Sequence, residues 1–153
     1  MRNNRETCNL IWLISVTLLF CVGAASQPQP SKPEKVTQAV DKVIVYYFHT
    51  NYRCYSCTTI ERYTRECIET NFAKEIKSGH LEFKSVDIEL PANKHYIEEY
   101  KLFTKSVIVS DMVQGKEQRW KNLQKVWEHL RNETKFKEYV KTETAAYLQE
   151  KRS

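Results

Sequence analysis

The chain has 153 residues, of which 41% are apolar and 28% charged, with only three glycines and four prolines. That length fits one domain around a single hydrophobic core, and the composition excludes collagen-like, low-complexity and disordered classes. Five cysteines are too few for a disulfide-built scaffold. The net charge of +5 arises from 24 basic residues interleaved with 19 acidic ones. No Lys/Arg run reaches the roughly five to eight residues of a phosphate-binding patch, so nucleic acid is not expected as a partner.

Residues 1–26 open with Arg2 and Arg5, continue as an almost unbroken apolar run from Leu10 to Phe20, and end in the small residues Gly23-Ala24-Ala25-Ser26. A basic start, a short apolar middle and a small-residue end predict a secretory signal peptide, cleaved after Ala25 or Ser26 or retained as an anchor. The run is shorter than the roughly 20 residues that span a bilayer comfortably. Without this segment the chain keeps 22 basic and 18 acidic residues, a net +4. Residues 27–41 read as a tether and lead-in, with three prolines in a polar stretch. Export would place the domain in a periplasmic or extracellular compartment, where disulfides persist. Cys8 and Cys21 lie in the signal segment, leaving Cys54, Cys57 and Cys67 beyond it.

Lys42 to His49 is β-branched and aromatic without period-2 alternation, the pattern of a strand buried on both faces. Thr50 to Arg53 is a polar loop, and Cys54-Tyr55-Ser56-Cys57 follows at once. Ile60, Tyr63, Cys67, Ile68, Phe72 and Ile76 then recur at helical spacing, and Gly79 marks a stop. Leu81 to Leu90 reads as a second strand, and Ala92 to Leu102 carries Tyr96, Ile97 and Tyr100 at helical spacing. Ser106 to Val113 is a third strand, joined by Gln114-Gly115-Lys116 to a short fourth at Glu117 to Trp120. Two amphipathic helices are predicted at Asn122 to Leu130 and Thr134 to Leu148. Crossover helices would make the first two strands parallel neighbours, and the tight turn at Gly115 would make the last two an antiparallel hairpin.

The expected fold class is therefore α/β, a βαβαββα core with a four-stranded mixed sheet and an extra C-terminal helix. A CxxC at the carboxyl end of the first strand, opening the next helix of such a pattern, resembles the thioredoxin-like superfamily, in particular small exported bacterial CxxC proteins. The resemblance covers residues 42–149. It implies a thiol–disulfide oxidoreductase that exchanges electrons with a protein partner, soluble or membrane-bound, without a cofactor; the alternatives are a soft-metal binding protein using the same CxxC and a fold-only interaction module whose disulfide is structural. In that family pattern Cys54 is the attacking nucleophile and Cys57 the resolving thiol.

The residues agree with that chemistry. Cys54 sits before the first turn of its helix, where unpartnered N–H groups carry partial positive charge, and Arg53 adds a full charge beside it. Both favour the thiolate, which is the reactive form. His49, five residues before Cys54, reads as a proton shuttle, as a third ligand with Cys54 and Cys57 for a soft metal such as Cu(I) or Zn(II), or as a histidine merely hydrogen-bonded at the top of the sheet. Cys67 lies ten residues beyond Cys57 on the same predicted helix, about 15 Å along its axis, too far for a disulfide with either motif cysteine. It reads as a core cysteine. Three departures from the family pattern stand out. Arg53 replaces the usual aromatic, Tyr46-Tyr47-Phe48-His49 lacks the usual acid, and Thr104-Lys105-Ser106-Val107 lacks the usual cis-proline, which leaves Ser106 as the supporting residue opposite the CxxC. Non-proline cis bonds cost about 2.5–4 kcal/mol, so a trans peptide is expected there. No GxGxxG, P-loop, HExxH or GxSxG occurs, so no nucleotide cofactor and no serine or zinc hydrolysis is expected.

Overall fold

The computed structural model describes residues 41–150, so the predicted signal peptide and nearly all of the predicted tether lie outside the described residues. Four strands form one sheet: β1 (Lys42–His49), β2 (Leu81–Asp87), β3 (Ser106–Val113) and β4 (Lys116–Asn122). Their order is β2-β1-β3-β4, with β1 parallel to β2, and β3 antiparallel to both β1 and β4. The helices are α1 (Tyr55–Asn71), α2 (Ala73–Lys77), α3 (His95–Glu99) and α4 (Glu133–Glu150). This is the expected mixed four-stranded α/β sheet with an extra C-terminal helix.

β1 occupies a central position, and its side chains alternate between two cores. Val43, Val45 and Tyr47 face Ile60, Cys67 and Ile68 of α1 and Phe136, Val140, Tyr147 and Leu148 of α4. Ile44, Tyr46 and Phe48 face the other side, where the β2–β3 connection supplies Tyr96, Tyr100 and Leu102. Both faces are apolar, which is why the sequence of this strand shows no polar alternation. Among the described residues no helix is long and apolar enough to cross a membrane.

Three elements depart from the sequence expectation. The helix after Cys57 does not run unbroken to Gly79. It bends at Phe72, whose backbone leaves the helical region (φ −128°, ψ 30°) while its ring stays buried, and Asn71 Nδ2 donates to the Cys67 carbonyl at 2.9 Å. Gly79 then ends α2 with φ +78°, a conformation that favours glycine. The helix expected at Asn122 to Leu130 is only a 3-10 turn at Gln124–Val126 followed by further turns. Leu123 and Val126 are both buried, three apart, and the Val126 amide bonds to the Leu123 carbonyl at 3.1 Å. Three-residue spacing suits a tight 3-10 turn as well as an amphipathic helix. The β2–β3 connection, expected as one helix, is a 3-10 turn at Pro91–Asn93 followed by α3, and Lys101 at φ +50° closes it.

The β3–β4 hairpin is as expected, turning at Gln114 and Gly115 with φ of 51° and 77°. Positive φ at both central residues matches the right-handed twist of the strands they join.

Candidate functional site

The register of β1 on β3 places Phe48 opposite Ser106, so the carboxyl end of β1 and the start of β3 lie level with each other. The CxxC stands just beyond that edge. Cys54 is the N-cap of α1 in extended conformation, and its Sγ accepts the Cys57 backbone N–H at 3.2 Å. A sulfur atom thus takes the place of the usual capping oxygen. Cys54 and Cys57 are joined by a disulfide, with Cα atoms 5.0 Å apart. Their environments differ: Cys54 is half-buried, whereas Cys57 is 1% exposed.

Beneath Cys57 lies Tyr47, fully buried, whose hydroxyl donates to the Cys57 carbonyl at 2.7 Å. This bond fastens the first turn of α1 to the central strand. Burial pushes the Tyr47 phenol up to about 12, against a smaller opposite pull from Arg53. The neutral phenol is therefore the form the fold holds. The linkage follows: stability owed to it is complete below about pH 10, where unfolded tyrosine begins to ionise, and is lost as pH rises through about 12. Tyr46 and Tyr100 are shifted upward by burial in the same sense. Denaturant midpoints should be flat up to about pH 9 and fall above about pH 10, with a shallower fall in Tyr47→Phe. A midpoint unchanged at about pH 11 would contradict the buried, neutral assignment.

The predicted site residues are placed as follows. Arg53 directs its guanidinium to the Glu61 carboxylate, two turns along α1, and lies 5.9 Å from the centre of the Tyr47 ring. Its charge is therefore shared with a carboxylate rather than standing free beside Cys54, as the sequence suggested. Glu61 also accepts from Arg65 at 3.1 Å. Partial burial raises the Glu61 pKa, but hydrogen bonds from Ser85, Arg53 and Arg65 outweigh it and hold the carboxyl below its ordinary range. His49 stacks on Tyr47, with ring centroids 5.7 Å apart, and its Nδ1 lies 3.1 Å from the Thr50 carbonyl. Among the described residues no group of three His, Cys, Asp or Glu side chains is arranged to hold a metal, so His49 is not assembled with Cys54 and Cys57 into a ligand set.

Ser106 is buried, and its hydroxyl donates to the Thr104 carbonyl at 3.0 Å. No peptide bond among the described residues is cis. The loop before β3 is fixed from the other side by Trp127, whose indole Nε1 donates to the Lys105 carbonyl at 3.1 Å. Lys105 Nζ in turn lies 5.8 Å from the centre of the Tyr52 ring, which connects this loop to the one preceding the CxxC. Tyr52, Tyr55 and Phe103 are 74%, 83% and 86% exposed. Two of these exposed rings, Tyr52 and Tyr55, flank Cys54 in the chain, and Phe103 lies in the loop before β3. Cys67 is buried and free, its thiol donates to the Lys137 carbonyl at 3.2 Å, and burial raises its pKa to about 11. It is a core thiol, as its spacing suggested.

Two members of the site, Tyr47 and Glu61, belong to no motif in the sequence. The signal for Tyr47 was its parity with Val43 and Val45, which aims it at α1. For Glu61 it was its position four residues after Cys57 and four before Arg65, which puts all three on one side of α1.

No family model matches the chain, and no curated protein matches it. Among solved structures it is similar to a malarial protein (16% identity over 53% of this chain and 80% of that one, TM-score 0.36). It is also similar to a Fasciola hepatica thioredoxin (21% identity, 65% and 78% coverage, TM-score 0.37) and to a thioredoxin from Thermus thermophilus (12%, 59% and 72%, TM-score 0.35). The fold rests on the chain's own topology: a β2-β1-β3-β4 mixed sheet, α1 and α4 together on one face, and a disulfide where the central strand meets α1.

Proposed function

We propose that this domain is an exported thiol–disulfide redox protein that exchanges electrons with a specific protein partner through Cys54 and Cys57. The observation that carries the reading is the asymmetric pair: a half-exposed sulfur capping the N-terminus of α1, joined to a buried one a turn away. Reduction breaks the Cys54–Cys57 bond and takes two electrons and two protons from a partner dithiol, which leaves as a disulfide; oxidation is the reverse. Cys54 would attack or be attacked, since access and the helix N-terminus both favour its thiolate. Cys57 would resolve the mixed disulfide from within.

A polypeptide partner suits the surface better than a small thiol. Tyr52 and Tyr55, which flank Cys54 in the chain, expose large amphipathic rings, and tyrosines are characteristic of protein contact surfaces. Export rests on the segment 1–26, which would either be removed or hold the domain at a membrane.

The test equilibrates the full chain with glutathione buffers, traps free thiols by alkylation and quantifies Cys54 and Cys57 by peptide mass spectrometry, so that Cys8, Cys21 and Cys67 do not interfere. A reversible couple between about −270 and −120 mV is expected, the range of thioredoxin-like exchangers. A potential below about −300 mV would identify a structural disulfide and overturn the reading. Metal retained by the reduced pair in place of turnover would turn it toward soft-metal binding.

A further inference from the structure

The residue immediately before the capping cysteine carries a positive charge, and the structure moors that charge elsewhere. Arg53 is ion-paired with Glu61, seven residues beyond the cap, which is about 10 Å along the axis of α1. Both side chains are substantially covered, at 32% and 16% exposure. Glu61 does not depend on Arg53 alone: Arg65 reaches it at 3.1 Å, and Ser85 of β2 helps hold its carboxyl low. Arg53 also lies over the Tyr47 ring, and Tyr47 holds the Cys57 carbonyl. Cation and carboxylate are therefore linked through Tyr47 of β1 to Cys57, and through the disulfide to Cys54.

We propose that Glu61 is a positioning residue that restrains the Arg53 guanidinium and thereby sets how strongly Cys54 is stabilised as a thiolate. The proposal rests on the redox reading above and deepens it by naming what tunes the pair. In the disulfide form neither sulfur is charged, and Glu61 is the anion Arg53 has. Reduction by two glutathione thiols breaks the Cys54–Cys57 bond and forms one glutathione disulfide. Two electrons pass to the cysteines, Cys57 takes a proton, and the proton of Cys54 goes to solvent when it remains a thiolate. A second anion then arises on the residue next to Arg53 in the chain and would compete with Glu61 for the same cation. Because Glu61 retains Arg65 and Ser85, it can release Arg53 without being left bare.

The other charged and titratable groups around the cap are already engaged. His49, stacked on Tyr47, has Nδ1 at the Thr50 carbonyl. Lys105 lies against Tyr52 on the β3 side, and Glu89, from the turn after β2, accepts the Asn51 amide at 2.8 Å. Arg53 is thus the cation whose position the Cys54 charge would change. A nearby cation lowers a thiol pKa, and a stabilised thiolate makes the disulfide easier to reduce.

The experiment measures the Cys54–Cys57 potential and the pH dependence of Cys54 alkylation by peptide mass spectrometry in the full chain. The set is wild type, Glu61→Gln, Arg53→Gln, the double variant and Arg65→Gln. In Glu61→Gln the thiol pKa of Cys54 should fall, and the equilibrium with glutathione should move about tenfold toward the reduced pair, a rise of about 30 mV. In the Arg53→Gln background the same Glu61 substitution should move it less than about threefold, because the cation it restrains is gone. Arg65→Gln should stay near wild type. Equal shifts in both backgrounds would mean that Glu61 acts directly by its own charge, and no shift in the wild-type background would mean that it does not act at all; either overturns the proposal. So would an Arg65→Gln shift as large as that of Glu61→Gln. A wild-type pair that never equilibrates with glutathione overturns the redox reading itself, an outcome distinct from these.

Discussion

Cys57→Ser is expected to turn the full chain from an exchanger into a trap. With the resolving thiol replaced by a hydroxyl that is not a nucleophile at neutral pH, a mixed disulfide between Cys54 and a partner has no internal route to release. The structure makes the two cysteines unequal, with Cys54 accessible at the helix cap and Cys57 1% exposed beneath it. Exchange rates follow thiolate fraction and access, so adduct yield with a model disulfide such as oxidised glutathione should favour Cys57→Ser over Cys54→Ser by about two orders of magnitude. Non-reducing mass spectrometry of both variants checks this. Equal yields, or an adduct on Cys57 in preference to Cys54, would reverse the assigned roles.

The second large effect is expected at Tyr47, where the fold and the site share one side chain. Tyr47→Ala removes a fully buried ring from the centre of the core between β1, α1 and α4, and large-to-small changes of that kind cost about 3–5 kcal/mol. Tyr47→Phe keeps the ring and deletes only the hydroxyl. It should cost about 1–2 kcal/mol, since the Cys57 carbonyl then loses its side-chain donor while staying buried. Urea unfolding separates the two: a Phe variant as damaged as the Ala variant would show that the hydroxyl, not the ring, carries the stability. A Phe variant at wild-type stability would show that the Tyr47 bond contributes nothing.

Much of this architecture could be read from residue types. The buried central strand followed from Val43 to Phe48, the hairpin from Gln114-Gly115, and the cysteine pair from its place between a strand and a helical repeat. Those features depend on local chemistry. The bend at Phe72 did not show, because a residue that must stay in the core on either side of a kink keeps the same apolar spacing as an unbroken helix. Nor did the turns after β4, where Leu123 and Val126 satisfy two periodicities at once. At the site, Cys54, Cys57 and Arg53 were marked by their neighbours in sequence. Glu61 and Tyr47 were not, because their roles come from partners across the fold: Ser85 on another strand for Glu61, and the Cys57 carbonyl for Tyr47.

The level pairing of Phe48 with Ser106 has a dynamic consequence. The disulfide opens α1, past the loop that follows β1, and the bond from Tyr47 to the Cys57 carbonyl ties it to the strand that separates the two cores. Openings that release central strands approach the free energy of global unfolding, whereas exposed loops open almost freely. Amide exchange should therefore be slowest along Val43–Phe48 and Val107–Val109, directly behind the cysteines, and fast in Thr50–Tyr52 and Phe103–Lys105. Adaptation to a partner would be confined to those two loops, while the sulfur atoms stay fixed to the least yielding part of the molecule.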